Sequence, residues 1–176
     1  MLTQKIKVLI ADDHIIFRRG LKMLLASIDG IELIGEAENG LDLLAVADRY
    51  TPDVFLVDIS MPVMDGVMAT KELCKRHPGA KVIALSVFGQ ESHIMEMLDA
   101  GAIGYLMKNA DKADIEQAVV SVFNNRSYFC TESNKQVKDL IDKFQSGSKA
   151  HLVVFSEREK DIITLICKGY ISKEIA

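Results

Sequence analysis

At 176 residues the chain has room for one domain of about 120–150 residues and a smaller second piece. Apolar and charged fractions of 49% and 26% are ordinary for a globular protein, and no apolar run is long enough to span a membrane. The formal charge of −4 divides unevenly: from Thr131 onward eight Lys/Arg stand against seven Asp/Glu, a net of +1, so the first 130 residues carry −5. That balance argues against non-specific nucleic-acid binding by the first part. Three distant cysteines, Cys74, Cys130 and Cys167, follow no metal-ligand pattern, and the N-terminus has no cleavable signal pattern. The expectation is a cytoplasmic protein with reduced thiols.

Lys7 to Ala11 reads as a buried strand, ended by Asp12 and Asp13. A helix follows with Phe17, Leu21, Leu24, Leu25 and Ile28 on one face, closed by Asp29-Gly30. Ile31 to Ala37 alternates loosely and reads as a strand nearer the edge. Asn39-Gly40 turns into a helix carrying Leu41, Leu44 and Ala45. Val54 to Val57 is a strand buried on both faces, with Asp58 at its C-terminal end; a helix from Gly66 to Arg76 is stopped by Pro78-Gly79. Val82 to Leu85 is a further buried strand ending at Ser86, and Gln90 to Asp99 is helical. Ile103 to Met107 is a short strand with Lys108 at its end. Asp111 caps a last helix whose apolar face is Ile115, Ala118, Val119 and Val122.

Five strands alternating with five helices on short connections require right-handed crossovers and a parallel sheet. The expected fold is a doubly wound, flavodoxin-like α/β domain with a five-stranded parallel sheet over residues 1–130. By analogy its strand order is 2-1-3-4-5, with a ligand site where the order reverses. Residues 131–150 read as a linker helix, with Val137, Leu140, Ile141 and Phe144 at helical spacing, and a polar hinge, QSGSKA. Residues 151–176 open a separate all-α unit. Ser156 and Glu159 form a capping box, Ile162, Leu165 and Ile166 share a face, Gly169 ends the helix and Ser172 caps another.

Asp12, Asp13, Asp58, Ser86 and Lys108 all fall at strand ends, on one edge of such a sheet. Each has a plainer reading: Asp12-Asp13 as helix-capping acids, Ser86 as a turn residue, Lys108 as a surface lysine, Tyr105 as a strand aromatic. Together they form a constellation. Three carboxylates repel one another unless a cation joins them, and Mg²⁺ suits such an oxygen-only set. Asp58, alone on the central strand, is the candidate nucleophile. Lys108 supplies a compact positive charge and Ser86 a hydroxyl for phosphoryl oxygens.

The motifs ADDH after the first strand, VDISMPVMDG around Asp58, ALS at the fourth strand and GYLMK at the fifth resemble the receiver domain of two-component response regulators. The resemblance implies that Asp58 is the phosphoacceptor for a sensor histidine kinase. It implies Mg²⁺ bound by Asp13, Asp58 and the backbone carbonyl of Ser60, with Asp12 reached through water. It implies that Lys108 and Ser86 read the phosphoryl group while Tyr105 turns inward on activation. Ser86 stands where many members have Thr. The segment FSEREKDIITLICKGYISKEIA is similar to the start of a LuxR-type helix-turn-helix, the output domain of the NarL/FixJ subfamily. It stops short of the recognition helix, so DNA binding is expected of the parent protein and little specific binding of this chain. A homodimer, phosphorylation-dependent or not, is the expected assembly. The rival readings are a Mg²⁺-dependent aspartyl phosphohydrolase, an FMN-binding flavodoxin, and a receiver that signals only through protein contacts.

Overall fold

The computed structural model describes residues 5–87 and 91–129. The linker segment 131–150, the helix-turn-helix segment 151–176, Cys130 and Phe88 lie outside the described residues. The described part is a parallel sheet of β1 (Ile6–Ala11), β2 (Ile31–Ala37), β3 (Val54–Asp58), β4 (Val82–Ser86), β5 (Gly104–Met107) and β6 (Tyr128–Phe129). Between them run helices α1 (Ile15–Ala26), α2 (Gly40–Ala47), α3 (Gly66–Arg76), α4 (Glu91–Ala100) and α5 (Lys112–Phe123). The strand order is β2-β1-β3-β4-β5-β6, so the reversal between β1 and β3 is present as expected.

The sheet has six strands where five were expected. β6 is two residues long and pairs with β5 through Gly104–Tyr128 and Tyr105–Phe129. A strand that short has no alternation for a sequence pattern to detect.

The central strands are buried on both faces because helices cover both. Every residue of β3 and β4 is buried. One apolar layer joins Val8, Ile10, Val54 and Leu56 of the sheet to Leu21 and Leu25 of α1 and to Ile115, Ala118, Val119 and Val122 of α5. The α5 face is the expected one. Its N-cap is Asp111, whose carboxylate accepts the Asp114 N–H at 2.9 Å.

Two expectations are corrected. Helix α1 ends at Ala26, with Ser27 as its C-cap, so Ile28 is buried but lies beyond the helix. Its stop is earlier than the Asp29-Gly30 pair because the Ser27 N–H turns back to Leu24 and Leu25 carbonyls, which closes the helix there. In α2 the buried side chains are Leu43, Leu44 and Ala47, while Leu41 and Ala45 are exposed. This helix is apolar almost all round, so periodicity does not set its phase. The phase is set by its N-terminus: the Gly40 N–H donates to the Met64 carbonyl at 2.9 Å. A Cβ on Gly40 would lie 2.6 Å from Met64 Cγ and 2.8 Å from Ala69 Cβ, so only glycine allows that approach.

Candidate functional site at the carboxyl edge of the sheet

The ends of β1, β3, β4 and β5 meet at the reversal of strand order. Asp12 follows β1, Asp58 closes β3, Ser86 closes β4 and Lys108 follows β5. The Lys108 N–H donates to the Ser86 carbonyl at 2.7 Å, which fixes the lysine beside β4. Its ammonium lies 2.7 Å from Asp12 Oδ2 and 3.0 Å from Asp58 Oδ2. Asp12 and Asp58 are 0% and 3% exposed. The ammonium also stands 4.9 Å from the centre of the Phe17 ring.

Asp58 owes its position to the loop behind it. The Gly66 N–H donates to the Ile59 carbonyl at 2.8 Å. A Cβ on Gly66 would fall 2.0 Å from the Asp58 carbonyl oxygen, so the chain closes behind Asp58 only because residue 66 has no side chain. Within that loop the Met64 N–H donates to the Pro62 carbonyl at 2.8 Å across Val63, whose φ is +69°. This is a tight three-residue turn in a conformation that β-branched residues rarely adopt.

Burial pushes the Asp58 carboxyl above its ordinary range. Lys108 pulls it back, Asp12 raises it again, and the Ser60 backbone N–H lowers it. Asp12 Oδ2 and Asp58 Oδ2 accept no aligned hydrogen bond. Lys108 is the cation that both share. Two buried carboxylates therefore share one ammonium, and the third, Asp13, stands beside them against His14. Such a donor set accommodates a hard cation. Asp12, Asp13, His14 and Asp58 offer ligand atoms all within 4.8 Å of one another and could hold a metal ion.

A cavity of about 230 Å³ opens over Asp58, lined by His14, Ser60, Ser86, His93 and Lys108 among others. Asp13 faces an adjoining groove that Ser60 and His93 also line. The structure thus brings Asp12, Asp13, Asp58, Ser60, Ser86 and Lys108 together. Tyr105 lies beneath them on β5, 2% exposed, with its hydroxyl 3.4 Å from Met107 Sδ and hydrogen-bonded to Ser86. Burial raises the Tyr105 phenol above its ordinary range, and Ser86 draws it partly back.

Residues 8–120 match the response regulator receiver domain family. The chain belongs to that family. Among its relatives, the transcriptional regulatory protein DegU of Brevibacillus brevis is 32% identical over 97% of this chain and 78% of its own length. The response regulator GacA of Pseudomonas protegens is 37% identical over 92% of this chain and 75% of its own length. The receiver domain of the response regulator NarL from Mycobacterium tuberculosis superposes with a TM-score of 0.67 at 29% identity, over 70% of this chain and 99% of that one. The chain is therefore a response regulator of the NarL/FixJ type, not a phosphohydrolase or a flavodoxin. No helix among the described residues is long and apolar enough to cross a membrane.

Several residues at this receiver site escape sequence reasoning. His14 Nδ1 lies 2.8 Å from Asp13 Oδ1 and 3.4 Å from Asp12 Oδ1. His93 reaches the cavity from α4, and Phe17 faces Lys108 from α1. The adjacency of His14 to the acidic pair was the only available signal. Phe17 reads simply as core, and His93 as a polar helix residue.

Proposed function

We propose that this response regulator accepts a phosphoryl group on Asp58 from a sensor histidine kinase and so switches a DNA-binding output. The observation that carries the reading is the Lys108 ammonium held between Asp12 and Asp58 beside a third carboxylate. A carboxylate oxygen of Asp58 attacks the phosphorus of a phosphohistidine. The new O–P bond forms as the N–P bond breaks, and the imidazole leaves. Lys108 and the Ser86 hydroxyl then orient the transferred oxygens, drawing Ser86 inward; Tyr105, expected to turn inward on activation, is already buried in this structure, so on this reading the phosphoryl group holds it in place. Asp13, Asp58 and the Ser60 backbone carbonyl would hold Mg²⁺, with Asp12 bound through water. The ion would supply the charge neutralisation that the single ammonium leaves incomplete.

The switch acts on residues 131–150 as linker and hinge, and on residues 151–176 as part of a LuxR-type helix-turn-helix, with residues 1–130 as the receiver. The relative named a transcriptional regulatory protein supports a transcriptional output. A homodimer in the cytoplasm, phosphorylation-dependent or not, completes the reading.

The test is intact mass after incubation with acetyl phosphate, with and without Mg²⁺, for the wild type and Asp58→Asn. One phosphoryl adduct that needs Mg²⁺ and is absent from Asp58→Asn is the expected result. An adduct that persists in Asp58→Asn would move the acceptor elsewhere.

A further inference from the structure

We propose that Arg18 is a positioning residue that aims the acidic pair Asp12-Asp13 at its divalent cation. The inference rests on the reading above that this pair holds Mg²⁺. Arg18 is the only charged residue of α1 among those it buries, with its side chain 7% exposed. Its Nη1 donates to the Asp12 carbonyl at 2.6 Å and its Nη2 to Glu38 Oε1 at 2.6 Å. Its Nε stands 3.7 Å from Glu36 Oε2, and Glu36 is held in turn by Lys22 at 2.6 Å.

A buried guanidinium is a poor way to attach a helix to a sheet, because desolvating it offsets the gain from its partners. Helix α1 already has an apolar attachment through Leu21 and Leu25. What Arg18 adds is direction. Its planar fork grips a backbone carbonyl and a carboxylate at once, which a lysine's single ammonium does not reproduce.

The carbonyl it grips controls Asp13. Asp12 donates its N–H to the Ala37 carbonyl at 3.1 Å, gives its C=O to Arg18, and accepts the His14 N–H on Oδ1 at 2.8 Å. The peptide before Asp13 is therefore tied through the Asp12 carbonyl. The peptide after Asp13 is tied through the His14 N–H. A residue has only two soft backbone angles, and fixing both flanking peptide planes fixes both. The backbone thus sets the direction of the Asp13 Cα–Cβ bond, and the carboxylate, 33% exposed, is met from the side by His14 Nδ1 at 2.8 Å. Without Arg18 the Asp12–Asp13 peptide loses the tie on its carbonyl, and the geometry of the cluster loosens while every carboxylate remains.

The test is Mg²⁺ titration by calorimetry into the full 176-residue chain, wild type and Arg18→Lys, with thermal midpoints measured with and without Mg²⁺. Arg18→Lys should bind Mg²⁺ about tenfold more weakly, as for other groups that orient metal ligands. The rise in midpoint on adding Mg²⁺ should shrink with it. A merely structural arginine would lower both midpoints equally and leave the affinity unchanged, and that result overturns the proposal. The amide nitrogen resonance of Asp13 in the metal-free protein should also shift in Arg18→Lys. If Arg18→Lys does not fold, Glu38→Ala removes one partner from an exposed position. A weaker affinity there supports the proposal and an equal one overturns it. A wild type that binds no Mg²⁺ overturns the reading of the acidic cluster and this inference with it. A wild type and a folded Arg18→Lys that bind alike overturn this inference alone.

Discussion

Leu25 and Asp12 are both withdrawn completely from solvent, yet burial does opposite things to them. In the apolar layer between the sheet and α1, removing a side chain from water is the stabilising event. At the carboxyl edge of the same sheet, removing carboxylates from water costs stability that Lys108 returns only in part. One sheet thus carries a region that holds the fold together and a region that the fold must hold together. Arg18 belongs to the second region although it sits on the helix that closes the first.

Four substitutions test that division. Lys108→Met leaves Asp12 and Asp58 buried without a cation and should cost about 3–5 kcal/mol. Denaturant unfolding should show the loss, and added Mg²⁺ should restore part of it. Leu25→Ala opens a cavity in the apolar layer and should cost about 3 kcal/mol. It should leave the Mg²⁺ titration of the folded protein unchanged, and a large change there would break the comparison.

Asp58→Asn should act with the opposite sign and raise the thermal midpoint by a few degrees at neutral pH. The Asp58 carboxyl titrates above its ordinary value of 3.8 in the folded protein. In the interval between the two values the folded state holds more protons than the unfolded one. Wild-type stability relative to Asp58→Asn should therefore fall as pH rises from about 4 through the shifted value, and then level off. Paired melts across pH 3–8 read this directly. Phe17→Leu should have the smallest effect. It keeps an apolar side chain beside Lys108 and removes the ring, for a loss of about 0.5–1 kcal/mol that shrinks when Lys108→Met is already present.

The two regions were also unequally legible in the sequence. Strands β3 and β4 were plain because both faces are buried and the run is apolar throughout. The face of α5 was plain because polar residues break its stripe at helical spacing. In α2, apolar residues surround the helix, and the phase came from Gly40 meeting Met64, a tertiary contact. β6 was too short to carry a pattern. At the site, the residues at strand ends, Asp12, Asp13, Asp58, Ser86 and Lys108, could be found because a strand end is a sequence position. Arg18 could not. Its spacing, three and seven residues before Leu21 and Leu25, puts it on the buried face, but a long charged side chain there reads as reaching back to solvent, and only the fold shows that it points inward at a carbonyl.

The groups that meet over Asp58 are spread along the chain, from Asp12 to Lys108, and translation delivers them in that order. At about 5–20 residues per second, Asp58 waits roughly 3–10 s on the ribosome before Lys108 is added. During that interval the carboxylates exist without the ammonium that organises them, and β5 has not yet joined the sheet. On the function proposed above, a half-made chain would hold the carboxylates of the site before the ammonium that joins them, and the site is complete only once β5 is made.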